Sequence, residues 1–99
     1  MRSLLALSLL ALPAVADVGP ERAAALEHMV RQDCGSCHGL TMKGGLGRPL
    51  NAEALIAADA EGLATIILDG IPGSAMPPWR PLLTEAEALW IARYLKDAK

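Results

Sequence analysis

Cys34-Gly35-Ser36-Cys37-His38 is the stretch on which the reading of this chain turns. Its two thiols are the only cysteines of the sequence, and a histidine directly follows the second. Cys-x-x-Cys-His reads as a site of covalent haem c attachment. The chemistry requires that spacing: two thiols add across two vinyl groups on one porphyrin edge, and the adjacent imidazole swings beneath the ring to ligate iron. A thioredoxin-like redox pair would use the same thiols, but it opens a helix within a βαβ unit, and no strand pattern precedes this motif. A zinc site needs four placed ligands, and the other histidine, His28, lies six residues upstream in a helical stretch.

Upstream, the first sixteen residues read as a leader, not as part of a domain. Met1 and Arg2 give a positive start, Leu4 to Leu12 an apolar stretch interrupted by Ser8, and Ala14-Val15-Ala16 a small-residue cleavage site. Nine residues fall short of the roughly 20 that cross a bilayer, so a cleaved signal peptide over 1–16 is expected, without a retained anchor. Cleavage leaves 83 of the 99 residues as one exported domain over 17–99, with eight basic and eleven acidic side chains. That negative balance argues against a nucleic-acid partner. A domain this small usually needs a staple, and this one is poor in filler: no Phe, one Tyr and two Trp. A haem would fill the centre that the side chains leave.

The remaining elements are expected to be helical. Pro20 suits a first helical position, and few breakers follow through Asp33; Leu26 and Val30 share one face, with His28 pointing away. The glycine-rich run from Gly39 to Leu50 lacks both the preceding strand and the Gly-Lys-Ser/Thr ending of a phosphate cradle. It reads as a loop whose glycines let backbone approach a flat cofactor. Two short helices are expected next, one over 52–57 capped by Asn51 and one over 60–68 capped by Asp59 and closed by Gly70. Four prolines among Ile71 to Pro81 make a stiff extended loop. Thr84-Glu85-Ala86-Glu87 is a capping box, so a last helix starts at Glu85 and runs to about Lys96, with Ala88, Ile91, Tyr94 and Leu95 as its apolar stripe.

With His38 on one face of the iron, the other face decides what the haem does. Met29, Met42, Met76 and His28 are the candidates. Met42 is four residues beyond His38, too short a chain to round the macrocycle, and Met29 and His28 belong to the helix leading into the motif. Met76 lies far along the chain on the proline-stiffened loop and is the expected sixth ligand; its alternative role is core packing. Ligation by His and Met fills both axial positions and raises the reduction potential, a design for electron transfer without a substrate position.

Cys34 to His38, Gly47-Arg48-Pro49-Leu50, Met76-Pro77-Pro78 and Ile91-Ala92-Arg93-Tyr94-Leu95-Lys96 together resemble a class I c-type cytochrome, over essentially the whole exported chain. The resemblance implies an all-α fold, about four helices wrapped round one covalently bound haem c. It also implies that Pro49 offers its carbonyl to Nδ1 of His38, and that Leu26 and Val30 meet Ile91 and Tyr94 where the first and last helices cross. In Asp33 to Gly39, Lys43 to Gly47 and Met76 to Pro81 the chain is most similar to the small c-55X cytochromes of denitrification gene clusters. What that similarity implies is a periplasmic electron carrier, not an enzyme, donating to cytochrome cd nitrite reductase; the alternative is a part in maturing that enzyme's d-type haem. A monomer is expected. Partners would approach the haem edge near Gly44, Leu46 and Pro77, where Lys43 and Arg48 either steer them or are merely solvated.

Overall fold

The computed structural model describes residues 18–97; the expected leader over 1–16 lies outside them. All regular structure among the described residues is helical. Helix α1 spans Pro20–Met29, α2 Gly35–His38, α3 Ala60–Asp69 and α4 Glu85–Asp97. This is the all-α class expected from the sequence.

Helix α1 does not run evenly into the cysteine motif. Val30–Cys34 forms a single wider turn in which the Gly35 N–H reaches back to the Val30 carbonyl, five residues away, before α2 resumes the normal pitch. Such a turn adds one residue to the helical circuit and rotates everything after it relative to the face before it. Leu26 and Val30 therefore stay in the core, while Cys34, Cys37 and His38 turn to another side. The Ser36 hydroxyl donates to the Asp33 carbonyl at 2.8 Å, a local side-chain bond beside the irregular turn.

Helices α3 and α4 pack against each other, and α1 crosses α4. Ala88, Ile91, Ala92 and Leu95 are the buried positions of α4, a spacing of three and four that makes one stripe. Tyr94 lies beside that stripe. It stacks on Trp90 with ring centroids 5.2 Å apart, and its hydroxyl donates to Glu27 of α1 at 2.9 Å. Leu26, Val30 and Ile91 share one core cluster, against which Tyr94 is partly buried.

Asp59 caps α3 as its sequence position suggests, accepting from the Gly62 N–H at 3.0 Å. The helix expected over 52–57 is instead a series of turns. Asn51 does make its capping bond, accepting from the Ala54 N–H at 2.9 Å, but six residues are too few to nucleate a helix without a buried face. Leu55 is buried there, while Ile56 is 80% exposed. The Lys96 ammonium of α4 donates at 2.9 Å to the Leu55 carbonyl, which also accepts from the Ala58 N–H, and to the Ala58 carbonyl. A half-buried residue of the last helix thus anchors a loop with no regular structure of its own.

The capping box at the start of α4 is formed on both sides: Glu87 N–H donates to Thr84 Oγ1 at 3.1 Å, and Thr84 N–H to the Glu87 carboxylate at 3.0 Å. The same carboxylate accepts from Arg22 Nε of α1 at 2.7 Å. The Arg22 guanidinium, and after it the Thr84 N–H, hold the Glu87 carboxyl below its usual range. A carboxyl lowered in the folded chain contributes stability above its unfolded pKa, and that contribution is lost as pH falls through the folded value. Glu87→Gln should therefore lower the melting temperature slightly at neutral pH and narrow the gap to the parent below the ordinary carboxylate range. Parallel melting curves from neutral to acid pH would show that this tie contributes nothing.

Candidate haem-binding site

The cysteine motif sits at the mouth of a cleft of about 550 Å³. Cys34, Cys37 and His38 line it from α2 and the turn before it, and Met76 lines it from the proline-rich loop. Leu50, Ile67, Leu83, Ile91 and Leu95 supply apolar walls from the loops and from α3 and α4, and Trp79 adds an aromatic face. The aliphatic core therefore does not close on itself. Its inner surface is concave, apolar and open toward two thiols and an imidazole, which is the donor set and the surface that a haem requires.

Cys34 is half-buried and Cys37 exposed, and both are free thiols. Burial, with a smaller contribution from the neighbouring Asp33 carboxylate, pushes the Cys34 thiol up to about 11. It is thus protonated and uncharged at neutral pH, as its place on an apolar wall demands.

Nδ1 of His38 lies 2.7 Å from the backbone carbonyl of Arg48. A carbonyl can only accept, so Nδ1 carries the proton and Nε2 keeps its lone pair for a metal. The carbonyl expected here was that of Pro49, one residue further on. A residue before proline is driven into extended backbone, along which consecutive carbonyls face different sides. In this register Arg48 presents its carbonyl to His38, while Leu50 N–H turns back to the Met42 carbonyl at 2.9 Å.

The glycine-rich loop also approaches the protein itself. Gly44 N–H donates to the His38 carbonyl at 2.9 Å, and Gly47 N–H to the Cys37 carbonyl at 2.6 Å. Both carbonyls would otherwise be left open at the end of α2. The loop is a cap that holds the attachment motif from behind. Gly47 passes so close to the imidazole that a Cβ there would stand 2.6 Å from His38 Cε1. Position 47 is closed to any side chain while the ring keeps its orientation.

Of the other residues singled out in the sequence, His28 is exposed on α1. Met29 lines the cleft. Met42 is buried away from it, beside Gly35. Outside the cleft, in the proline-rich loop, Arg80 makes a two-pronged pair with Asp69, at 2.8 and 2.9 Å, that no reading of the sequence assigns.

This cleft and motif define a cytochrome of the c type. A family model described as cytochrome C oxidase, cbb3-type, subunit III matches residues 21–95, and the chain belongs to that family of c-type cytochrome domains, electron carriers that bind haem c and its iron covalently. The chain is 62% identical over 94 residues to cytochrome c55X of Paracoccus denitrificans (strain Pd 1222), covering 92% of this chain and 91% of that one. It is 48% identical over 90 residues to cytochrome c55X of Pseudomonas aeruginosa, covering 89% and 76%. Among solved structures it is similar to the c-type cytochrome NirC, with a TM-score of 0.77 and 45% identity over 79% of this chain and 92% of the other. It is also similar to part of the dihydro-heme d1 dehydrogenase NirN in complex with DHE, with a TM-score of 0.67 and 33% identity. That match covers 74% of this chain and only 16% of NirN. The resemblance read from the sequence thus holds for both the fold and the family.

Gly47→Ala tests how tightly the loop fits the imidazole. The added methyl group must displace either the ring or the Arg48 carbonyl, so the haem-loaded variant should lose about 1–3 kcal/mol of stability. Chemical denaturation followed in the haem absorption bands measures this; an unchanged midpoint would mean that the loop yields freely.

Proposed function

We propose that the chain is a periplasmic monohaem electron carrier of denitrification, with Cys34 and Cys37 as thioether anchors and His38 and Met76 as axial ligands. The observation that carries this reading is that His38 and Met76, from two separate segments, line the same apolar cleft as both cysteines. The bound haem supplies one reversible electron at its iron. The protein's part is to hold both ligands still in both oxidation states.

Each ligand is held differently. The Arg48 carbonyl fixes the His38 tautomer and increases the basicity of Nε2. Met76 offers a soft thioether that favours the ferrous form, from a loop in which Pro72, Pro77 and Pro78 fix φ. With both positions filled, no site is left for a substrate, and an electron can pass with little rearrangement. No helix among the described residues is long and apolar enough to cross a membrane.

The chain's similarity to c-55X cytochromes of denitrification clusters supports this reading, with cytochrome cd nitrite reductase as the partner to which it donates. The likeness to a segment of NirN supports a second reading. NirN is a dehydrogenase of dihydro-haem d1, and a dehydrogenase must pass electrons to an acceptor. A chain built like one of its segments would then assist maturation of the d-type haem.

Lys43 and Arg48 are both exposed, and neither forms an ion pair among the described residues. Leu46 stands between them on the cleft rim, 94% exposed. An apolar contact flanked by two free cations suits a brief encounter with an acidic redox partner. Ferrous, haem-loaded protein mixed in stopped flow with cytochrome cd nitrite reductase and nitrite should be oxidised rapidly, and more slowly as salt rises. Changing Lys43 and Arg48 together to Glu should lower the association rate by about tenfold at low ionic strength. Absent oxidation would favour the maturation reading, and a rate insensitive to both changes would remove the steering role.

A further inference from the structure

We infer that Gly70 is a positioning residue for Met76, with the Asp69–Arg80 ion pair as its support. The inference rests on the reading of Met76 as an axial ligand. It concerns how the last turn of α3 fixes the loop that carries it.

The proline-rich loop is closed on itself before Met76 and tied back to α3 after it. Before Met76, Ser74 Oγ donates to the Ile71 carbonyl at 2.7 Å and accepts from the Met76 N–H at 3.2 Å. Ile71 N–H donates to the Met76 carbonyl at 3.2 Å, so the loop closes directly beside Gly70. After Met76, Trp79 N–H donates to the Ile67 carbonyl at 3.1 Å and Arg80 N–H to the Leu68 carbonyl at 2.9 Å. The Arg80 guanidinium then grips Asp69 with two bonds. Ile67 lines the cleft itself, so the turn that anchors the loop also forms the wall beside it.

Gly70 lies at the centre of this attachment. Its φ is 69° and its ψ −171°, backbone that only glycine adopts without strain. A Cβ at this position would stand 2.7 Å from the Met76 carbonyl oxygen, 2.8 Å from the Pro77 carbonyl carbon and 2.9 Å from the Pro78 nitrogen. All three are backbone atoms and cannot rotate away. The prolines that stiffen the loop also prevent a local adjustment, so a methyl group at position 70 must move the segment that carries the Met76 side chain.

Gly73, three residues on, separates this effect from backbone strain. It too has positive φ, at 81°, yet its Cβ would meet nothing within 4 Å. Gly70→Ala and Gly73→Ala therefore both place alanine at positive φ, and only the first collides with the Met76 segment.

The experiment compares the haem-loaded parent with Gly70→Ala, Gly73→Ala, Asp69→Asn and Met76→Ala. Three properties are read: the near-infrared thioether-to-ferric charge-transfer band, the reduction potential, and carbon monoxide binding by the ferrous form. Gly70→Ala should lose or weaken the band, lower the potential and admit carbon monoxide, whereas Gly73→Ala should retain all three parent properties despite its strained backbone. Asp69→Asn, at the half-exposed end of the ion pair, should shift them less and in the direction of Gly70→Ala. If Gly70→Ala fails to fold, Asp69→Asn decides, and parent-like behaviour there overturns the inference. Parent-like behaviour of a folded Gly70→Ala, or equal changes in both glycine variants, also overturns it. A parent-like band in Met76→Ala would instead overturn the ligand reading on which the inference rests.

Discussion

The fold depends on a hydrophobic centre that the polypeptide does not fill. The chain has no Phe and three aromatic residues in all, and its aliphatic side chains leave the centre open. It lines a cleft with Ile67, Leu83, Ile91 and Leu95 and leaves the middle to a flat apolar body. The covalent attachment follows from the same shortage. A cofactor that supplies the interior of so small a domain is part of its stability, and thioether bonds prevent its loss to dilution.

The two expected ligands are held by different means. His38 lies at the end of a helix, and the backbone of the following loop grips it: Gly44 and Gly47 cap the carbonyls of α2, and Arg48 orients the imidazole. Met76 lies on a loop with no regular structure, which leaves α3 at Gly70 and returns to bond its last turn through Trp79 and Arg80. A short helix supplies rigidity by its own hydrogen bonds, whereas a loop must borrow it from a neighbour. The prolines around Met76 reduce the freedom that has to be removed, and the α3 turn removes the rest.

Features set by local chemistry were legible in the sequence. The Cys-x-x-Cys-His spacing, the Asp59 cap and the reciprocal bonds of Thr84 and Glu87 each depend on residues within four positions of one another, and each is found where it was expected. The differences all depend on distant contacts or on backbone geometry. The wider turn at Val30–Cys34 leaves no compositional mark. The turns over 51–58 carry a sound helix cap, and no local pattern announces the bonds that Lys96 of α4 makes to the Leu55 and Ala58 carbonyls. The resemblance implies the Pro49 carbonyl, one residue out of register, because only the backbone geometry of the extended segment shows which carbonyl faces the ring. The glycines after His38 were correctly seen as permitting close approach, but what approaches is the protein's own α2 and imidazole.

The ion pairs show how this small domain divides its charges. Arg22 joins α1 to the cap of α4 through Glu87, Arg80 joins the proline-rich loop to Asp69 and reaches Glu85, and Lys96 is turned inward onto carbonyls. These cations serve joints of the fold and are not free for a partner. Between His38 and Ala52, by contrast, the sequence holds Lys43 and Arg48 and no acidic residue. A chain of negative net charge thus carries a local positive field on the loop that borders the cleft. At physiological ionic strength such a field reaches about 8 Å, enough to orient an approaching acidic surface but too short to hold it. An electron carrier needs both properties, because it must find its partner quickly and then leave it.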